Sequence, residues 1–246
     1  MHKAKPKSNE PSAAASSRFG DGQGKGKRER PPPDPDMLLS KALSKLLRHD
    51  AVKEGLGIRP DGFVKLNEVL GYKRIKSLKP TIDDIKRVSE ENSKQRFTIL
   101  EEDSPEGAVE LWIRANQGHS IPVVDLQLEK ITDSEKAPIV VHGTQKALWD
   151  LISREGLKKM TRNHIHFATG LFGEEGVISG MRANCNVFIY VDMPKALQDG
   201  IEFYRSSNGV VLTSGKDGVL PPDYFLRVED RQRNSLLPDR ITSATD

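Results

Sequence analysis

Arg96-Phe97-Thr98-Ile99-Leu100-Glu101-Glu102-Asp103-Ser104-Pro105-Glu106-Gly107-Ala108-Val109-Glu110-Leu111-Trp112-Ile113-Arg114 is the stretch whose reading decides the fold. Residues 96–100 and 109–114 read as strands, and Ser104-Pro105-Glu106-Gly107 between them has the composition of a hairpin loop. Upstream, Leu39, Ala42, Leu43, Leu46 and Leu47 follow helical spacing. That helix is predicted to open near Asp36 as N-cap. It should end at Arg48-His49, where cations suit the negative end of the helix dipole. Asp61-Gly62 reads as a turn and Phe63-Val64 as a short strand. Leu66, Val69 and Leu70 suggest a second helix. Thr81-Ile82-Asp83-Asp84 resembles a capping box opening a third, with Ile82, Ile85 and Val88 inside.

Helices followed by a two-stranded hairpin form the pattern of a winged-helix domain, expected here over residues 36–118. Residues 119–136 are polar and weakly patterned, as in a linker. A second unit, 137–230, is richer in strands. Ile139-Val140-Val141 is predicted to be a buried strand ending at His142-Gly143-Thr144. A helix with Leu148, Leu151 and Ile152 inside should follow and stop at Gly156. Residues 187–191 alternate as a strand does, and Asn208-Gly209 and Pro221-Pro222 precede two further apolar runs. Residues 1–35, ending in Pro31-Pro32-Pro33, are expected to be a disordered basic tail, and 231–246 a loose C-terminal tail. The predicted class is α+β with antiparallel sheets.

Hydrophobic residues make up 36% of the 246 and charged residues 30%, enough for a core with a substantial polar remainder. No run approaches the roughly 18 apolar residues of a membrane span, and no apolar signal segment follows the N-terminal basic residues. Cys185 is the sole cysteine, so no intramolecular disulfide forms, and an intracellular location, cytoplasmic or nuclear, is expected. Residues 1–33 carry a net +5, which leaves −2 for the rest of a chain whose total is +3. Nucleic-acid binding by the body would therefore use a local patch, aided by the tail.

The candidate chemistry lies in strings rich in Arg and His. Arg48-His49 reads either as a helix end or as part of a phosphate site. Arg96 beside Phe97 either covers apolar surface with its stem or joins that site. Residues 113–120 cluster hydrogen-bonding side chains around Gly118. His142-Gly143-Thr144 follows a buried strand, and its glycine permits close approach to a flat ligand. In Arg162-Asn163-His164-Ile165-His166-Phe167, a strand would put His164 and His166 on one face. Two such His can ligate zinc, but no third ligand accompanies them, so no metal is expected. Gly176-Val177-Ile178-Ser179-Gly180-Met181-Arg182 can cradle a pyrophosphate, with Arg182 as charge-assisted donor. It is neither a Walker loop nor a dinucleotide fingerprint.

Together these strings resemble the RNA 2′-phosphotransferases of the Tpt1/KptA type. The resemblance runs from about 39 to 228. It is carried by Leu43-Ser44-Lys45-Leu46-Leu47-Arg48-His49, Lys94-Gln95-Arg96-Phe97, Ala115-Asn116-Gln117-Gly118-His119-Ser120, Ile139-Val140-Val141-His142-Gly143-Thr144, and the 162–166 and 176–182 strings. The long N-terminal tail is similar to that of a eukaryotic member. The resemblance implies a winged-helix RNA lobe joined to an ADP-ribosyltransferase-like lobe, with the active site between them. It implies consumption of NAD as co-substrate. The RNA 2′-phosphate attacks the nicotinamide ribose, nicotinamide leaves, and the ribose 2″-hydroxyl then attacks the phosphate. The products are 2′-hydroxyl RNA and ADP-ribose 1″,2″-cyclic phosphate. The substrate implied is 2′-phosphorylated RNA such as ligated tRNA, without a membrane, and the protein is expected to be a monomer.

The family's catalytic set maps onto Arg48, His49, Arg96 and Arg162. Its NAD-binding motifs map onto His142, Gly143 and Thr144, onto His166, and onto Ser179, Gly180 and Arg182. The Glu usual in a third ADP-ribosyltransferase motif has no counterpart near Val210-Val211, which fits a nucleophile that is already anionic. Two other readings remain open at this point. One is an ADP-ribosyltransferase that caps terminal phosphates of nucleic acids, and the other is a non-catalytic RNA binder.

Overall fold

The computed structural model describes residues 33–105, 107–121 and 126–237. Most of the expected basic tail, residues 122–125 of the expected linker, and the chain from 238 lie outside them. Helix α1 (Pro35–Lys45) is capped by Asp34 rather than Asp36: the Asp36 N–H donates to the Asp34 carboxylate at 3.0 Å. Pro35 takes the first helical position, where a missing N–H costs nothing. The helix does not simply stop at Arg48-His49. It widens into a π-helical turn, Leu46–Asp50, that buries Leu46 and Leu47 and carries both candidates. Single π turns inside helices often mark functional positions.

Strand β1 (Val64–Lys65), α2 (Leu66–Gly71), α3 (Lys73–Lys76) and α4 (Ile82–Glu90) follow. Helix α3 was not foreseen. The capping box of α4 is present, with Asp84 N–H on Thr81 Oγ1 at 3.1 Å and Thr81 N–H on the Asp84 carboxylate at 2.9 Å. Ile85 and Val88 are buried, but Ile82 is 36% exposed, because the first turn of the helix faces solvent. Strands β2 (Phe97–Asp103) and β3 (Val109–Ala115) pair antiparallel from Phe97–Ala115 to Asp103–Val109. With β1 they form a sheet in the order β1-β3-β2. Leu43, Leu46, Leu47, Leu66, Ile85 and Ile113 fill the core between this sheet and the helices.

The remaining strands are β4 (Glu129–Ile131), β5 (Val141–Thr144), β6 (Leu157–Lys158), β7 (Ile165–Phe167), β8 (Val187–Val191), β9 (Phe203–Arg205), β10 (Val211–Thr213), β11 (Val219–Leu220) and β12 (Phe225–Asp230). They form sheets β4-β9-β10-β7, β12-β8-β5 and β11-β6, all antiparallel. The fold is α+β. A second core centres on Phe167, Ile189, Phe203 and Phe225. Helix α5 (Lys146–Glu155) turns Trp149 and Ile152 toward this core and leaves Leu148 and Leu151 about half exposed. Trp149 is drawn in by Phe225, 6.5 Å between ring centroids, so the buried stripe is offset from the one predicted. Helix α6 (Met193–Gln198) completes the unit.

Two expected irregular segments carry structure. The predicted linker contains β4, paired to β9. Residues 231–237 are attached to the body: the Leu236 N–H donates to Val228 O at 2.9 Å, and Leu236 and Leu237 pack on the second core. No described helix is long and apolar enough to cross a membrane.

Candidate active site

The π turn lays Arg48 and His49 against the loop that follows β3. The Ser120 N–H donates to Arg48 O at 3.0 Å, and Ser120 Oγ lies 2.9 Å from His49 Nδ1. A Cβ on Gly118 would sit 3.4 Å from Arg48 Nε, so the guanidinium rests on that glycine. Arg48 Nε and Nη2 are buried without a hydrogen-bond partner. Arg96 stands just ahead of β2. Its backbone is set by Gln95 at φ +41 and by Asn116, whose side-chain amide donates to Gln95 O at 2.7 Å and whose N–H donates to Arg96 O at 2.9 Å. Arg96 Nη1 donates to Asn92 Oδ1 at 3.0 Å. Arg162 lies in the turn between β6 and β7. Its neighbour Asn163 donates to His119 O (2.9 Å) and Ile121 O (3.0 Å), fastening this turn to the loop beside Arg48.

These contacts concentrate positive charge. Burial, then Arg96 and Arg162, push the Arg48 pKa down to about 10. Burial lowers those of Arg96 and Arg162 as well, with Arg182 adding to the effect on Arg162. No ion pair among the described residues engages Arg48, Arg96, Arg162 or Arg182. Guanidiniums gathered without carboxylates repel one another and lose hydration. Such an arrangement suits a multiply charged anion, with planar donors that match phosphate oxygens.

A cavity of about 620 Å³ opens next to this cluster, lined by His142, Gly143, Thr144, Arg162, His166, Gly180 and Arg182 among others. Seven of the eleven predicted site residues therefore share one cavity. Ser179 is not among its lining; it faces a smaller one of about 200 Å³ with Lys94, Phe172 and Met181. Arg96 lines a groove with Ser40 and Asn92. His142 Nδ1 lies 2.9 Å from His166 O, and a carbonyl only accepts, so Nδ1 carries the proton and Nε2 is left as acceptor. Burial, then Arg162, push the His166 pKa down to about 3, and its Nε2 is buried and unpartnered. Gly143 lines the cavity and has a packing reason to be bare as well: a Cβ there would lie 2.8 Å from Met181 Cγ and 2.9 Å from Cys185 Sγ. Its bareness admits the loop side chains.

The expected strand over 162–167 is shorter than predicted. Only Ile165–Phe167 pair, and His164 stays in the turn, so His164 and His166 do not share a strand face. No group of three or more His, Cys, Asp or Glu that could hold a metal occurs among the described residues.

Two residues gain importance only from the structure. His119 is 2% exposed with both ring nitrogens unpartnered, and burial, then Arg48, push its pKa down to about 3. It is thus a neutral imidazole among cations. Lys94 Nζ lies 3.4 Å from Met181 O, while its own carbonyl accepts from Asn208 Nδ2 at 3.0 Å. It links the elements carrying Arg96 to the loop carrying Arg182. The sequence signal for both was their place within strings already singled out.

A family model described as RNA 2′-phosphotransferase, Tpt1/KptA family, matches residues 34–215. A Bos taurus protein named tRNA 2′-phosphotransferase 1 is 49% identical over 189 residues, covering 76% of this chain and 72% of that protein. A Saccharomyces cerevisiae protein named tRNA 2′-phosphotransferase is 43% identical over 182 residues, 72% of this chain and 77% of that protein. A Schizosaccharomyces pombe relative is 48% identical over 198 residues; that match takes in 80% of this chain, which spans about half (52%) of the relative's length.

Proposed function

The chain belongs to the Tpt1/KptA family of RNA 2′-phosphotransferases, and from that premise we propose that it removes the splice-junction 2′-phosphate of ligated tRNA with NAD as co-substrate. The products are 2′-hydroxyl RNA, nicotinamide and ADP-ribose 1″,2″-cyclic phosphate. In this reading residues 36–118 form a winged-helix RNA lobe and 137–230 an ADP-ribosyltransferase-like NAD lobe. The observation that carries it is the gathering of Arg48, Arg96 and Arg162 without a carboxylate partner.

The residues of the 620 Å³ cavity fit NAD by their polar groups: the Arg182 guanidinium as donor, the His142 Nε2 as acceptor, and the unpartnered His166 Nε2. His142, Thr144, His166, Gly180 and Arg182 would hold it, with Ser179 at the margin. When bound, NAD supplies a ribose carbon with a good leaving group and an adjacent hydroxyl. Arg48 and Arg96 grip the 2′-phosphate from the RNA side, as bidentate donors. Arg162 stabilises charge where phosphate and ribose meet. His49 is neutral near pH 7, since burial, then Arg48, lower its pKa. Its Nδ1 is engaged by the Ser120 hydroxyl at 2.9 Å, which orients the ring and leaves Nε2 for the phosphate.

Incubating the protein with NAD and an RNA bearing an internal 2′-phosphate should yield 2′-hydroxyl RNA and the cyclic phosphate. Retention of the phosphate at saturating NAD would refute the proposal, and a stable ADP-ribosylated nucleic acid as sole product would favour the capping activity instead. Ser120→Ala removes the hydroxyl that orients the His49 ring and should lower kcat/KM about fivefold. In the wild type, the acid limb of the kcat/KM profile should lie below pH 6.5, the unperturbed value. A limb above pH 6.5 would contradict the environment assigned to His49.

A further inference from the structure

We infer that Arg231, beyond the region matched by the family model, is a positioning residue for the NAD-binding loop. Arg231 follows β12, in a stretch that sequence alone marks as loose tail. Its Nε donates to Cys185 O at 2.8 Å and its Nη2 to Ala183 O at 2.6 Å. One guanidinium therefore holds two carbonyls of the segment that contains Arg182, Asn184 and Cys185, all of which line the 620 Å³ cavity.

The clamp is anchored at its own base. The Asp230 carboxylate accepts from Gln232 N–H at 2.8 Å, Asn234 N–H at 2.9 Å and Asn234 Nδ2 at 2.9 Å. Asp230 also pairs with Val187 at the start of β8, which begins just after the held loop. The far side of the loop is tied to the first NAD motif: Asn186 N–H donates to Thr144 O at 2.9 Å, and Asn186 Oδ1 accepts from Lys146 N–H at 2.7 Å. Between these ties, Cys185 Sγ and Met181 Cγ press on bare Gly143. Arg231 thereby sets how closely the loop lies on Gly143 and where Arg182 stands. It touches neither Arg48 nor Arg96, so its effect should fall on NAD and not on RNA.

The inference rests on the NAD reading above, and the test separates the two. ADP-ribose binding is measured by calorimetry on wild type, Arg231→Met and Arg231→Lys, with steady-state kinetics and melting temperatures. Arg231→Met should weaken ADP-ribose binding and raise KM for NAD about tenfold, with kcat and KM for RNA nearly unchanged. Arg231→Lys, with a single ammonium for two carbonyls, should recover part of the loss. Amide exchange at residues 182–186 should quicken in Arg231→Met. Equal ADP-ribose affinity in wild type and Arg231→Met overturns the inference alone. A uniform loss of kcat and both KM values with a lowered melting temperature also overturns it, in favour of a purely structural role. A wild type that does not bind ADP-ribose overturns the NAD reading and the inference with it.

Discussion

Arg48→Lys and Arg48→Met are each expected to lower kcat/KM for 2′-phosphate removal by about 10²–10³-fold, and Arg48→Met to do so without destabilising the fold. The activity loss follows from the donor geometry. Arg48 Nε and Nη2 are buried and unpartnered, and a lysine ammonium cannot reproduce a planar fork held against Gly118. The stability result follows from the sign of the pKa shift. Burial, Arg96 and Arg162 depress the Arg48 pKa to about 10. A base whose folded pKa lies below its unfolded value destabilises the fold wherever it is charged, which here means throughout the range below that pKa. Removing the charge relieves this cost, so the melting temperature of Arg48→Met should hold or rise, by roughly 2–4 °C per kcal/mol recovered. Thermal unfolding beside turnover checks both parts. A variant that is both unfolded and inactive would show that Arg48 holds the structure together, contrary to this account.

Gly180→Ala should damage both stability and turnover, because this glycine seats the loop that carries Arg182. Gly180 has φ +100, and a Cβ there would lie 2.9 Å from Ala168 Cα and 2.9 Å from Phe167 O. Both are backbone atoms. Phe167 belongs to β7 and is paired with Val211 of β10, so the obstacle cannot yield cheaply. Strain at positive φ and overpacking together cost about 1–3 kcal/mol or more. Relief must come from lifting the loop that carries Arg182. A displacement near 1 Å at a positioned group costs about 10²-fold in rate, so kcat/KM for NAD should fall by about that factor. Chemical denaturation and NAD kinetics measure the two effects. Unchanged stability with unchanged kinetics would mean that the loop is not seated against β7.

Much of the fold was legible because its signals are local. The Thr81 capping box, the β2–β3 hairpin, the alternation over 187–191 and the stop at Gly156 each depend on neighbours a few residues apart. The errors came where packing overrides local pattern. Leu148 and Leu151 fit a helical stripe as well as Trp149 does, but Phe225 draws Trp149 inward. Ile82 satisfies the period of α4, yet its turn meets solvent. The π turn at Leu46–Asp50 leaves no mark in an apolar spacing that suits an ordinary helix end equally well.

By itself the sequence determined the local elements, the family, and which Arg and His residues were candidates. Motif strings and hydrophobic periods are properties of short stretches, and a single chain displays them in full. Only the tertiary structure decided that Arg48, Arg96 and Arg162 act on one another, that a bare Gly143 admits Met181 and Cys185, and that Arg231 holds the loop that follows Arg182. Each of these joins residues far apart in the chain. Coulombic repulsion, steric exclusion and hydrogen bonding depend on distance in space, which sequence spacing does not record.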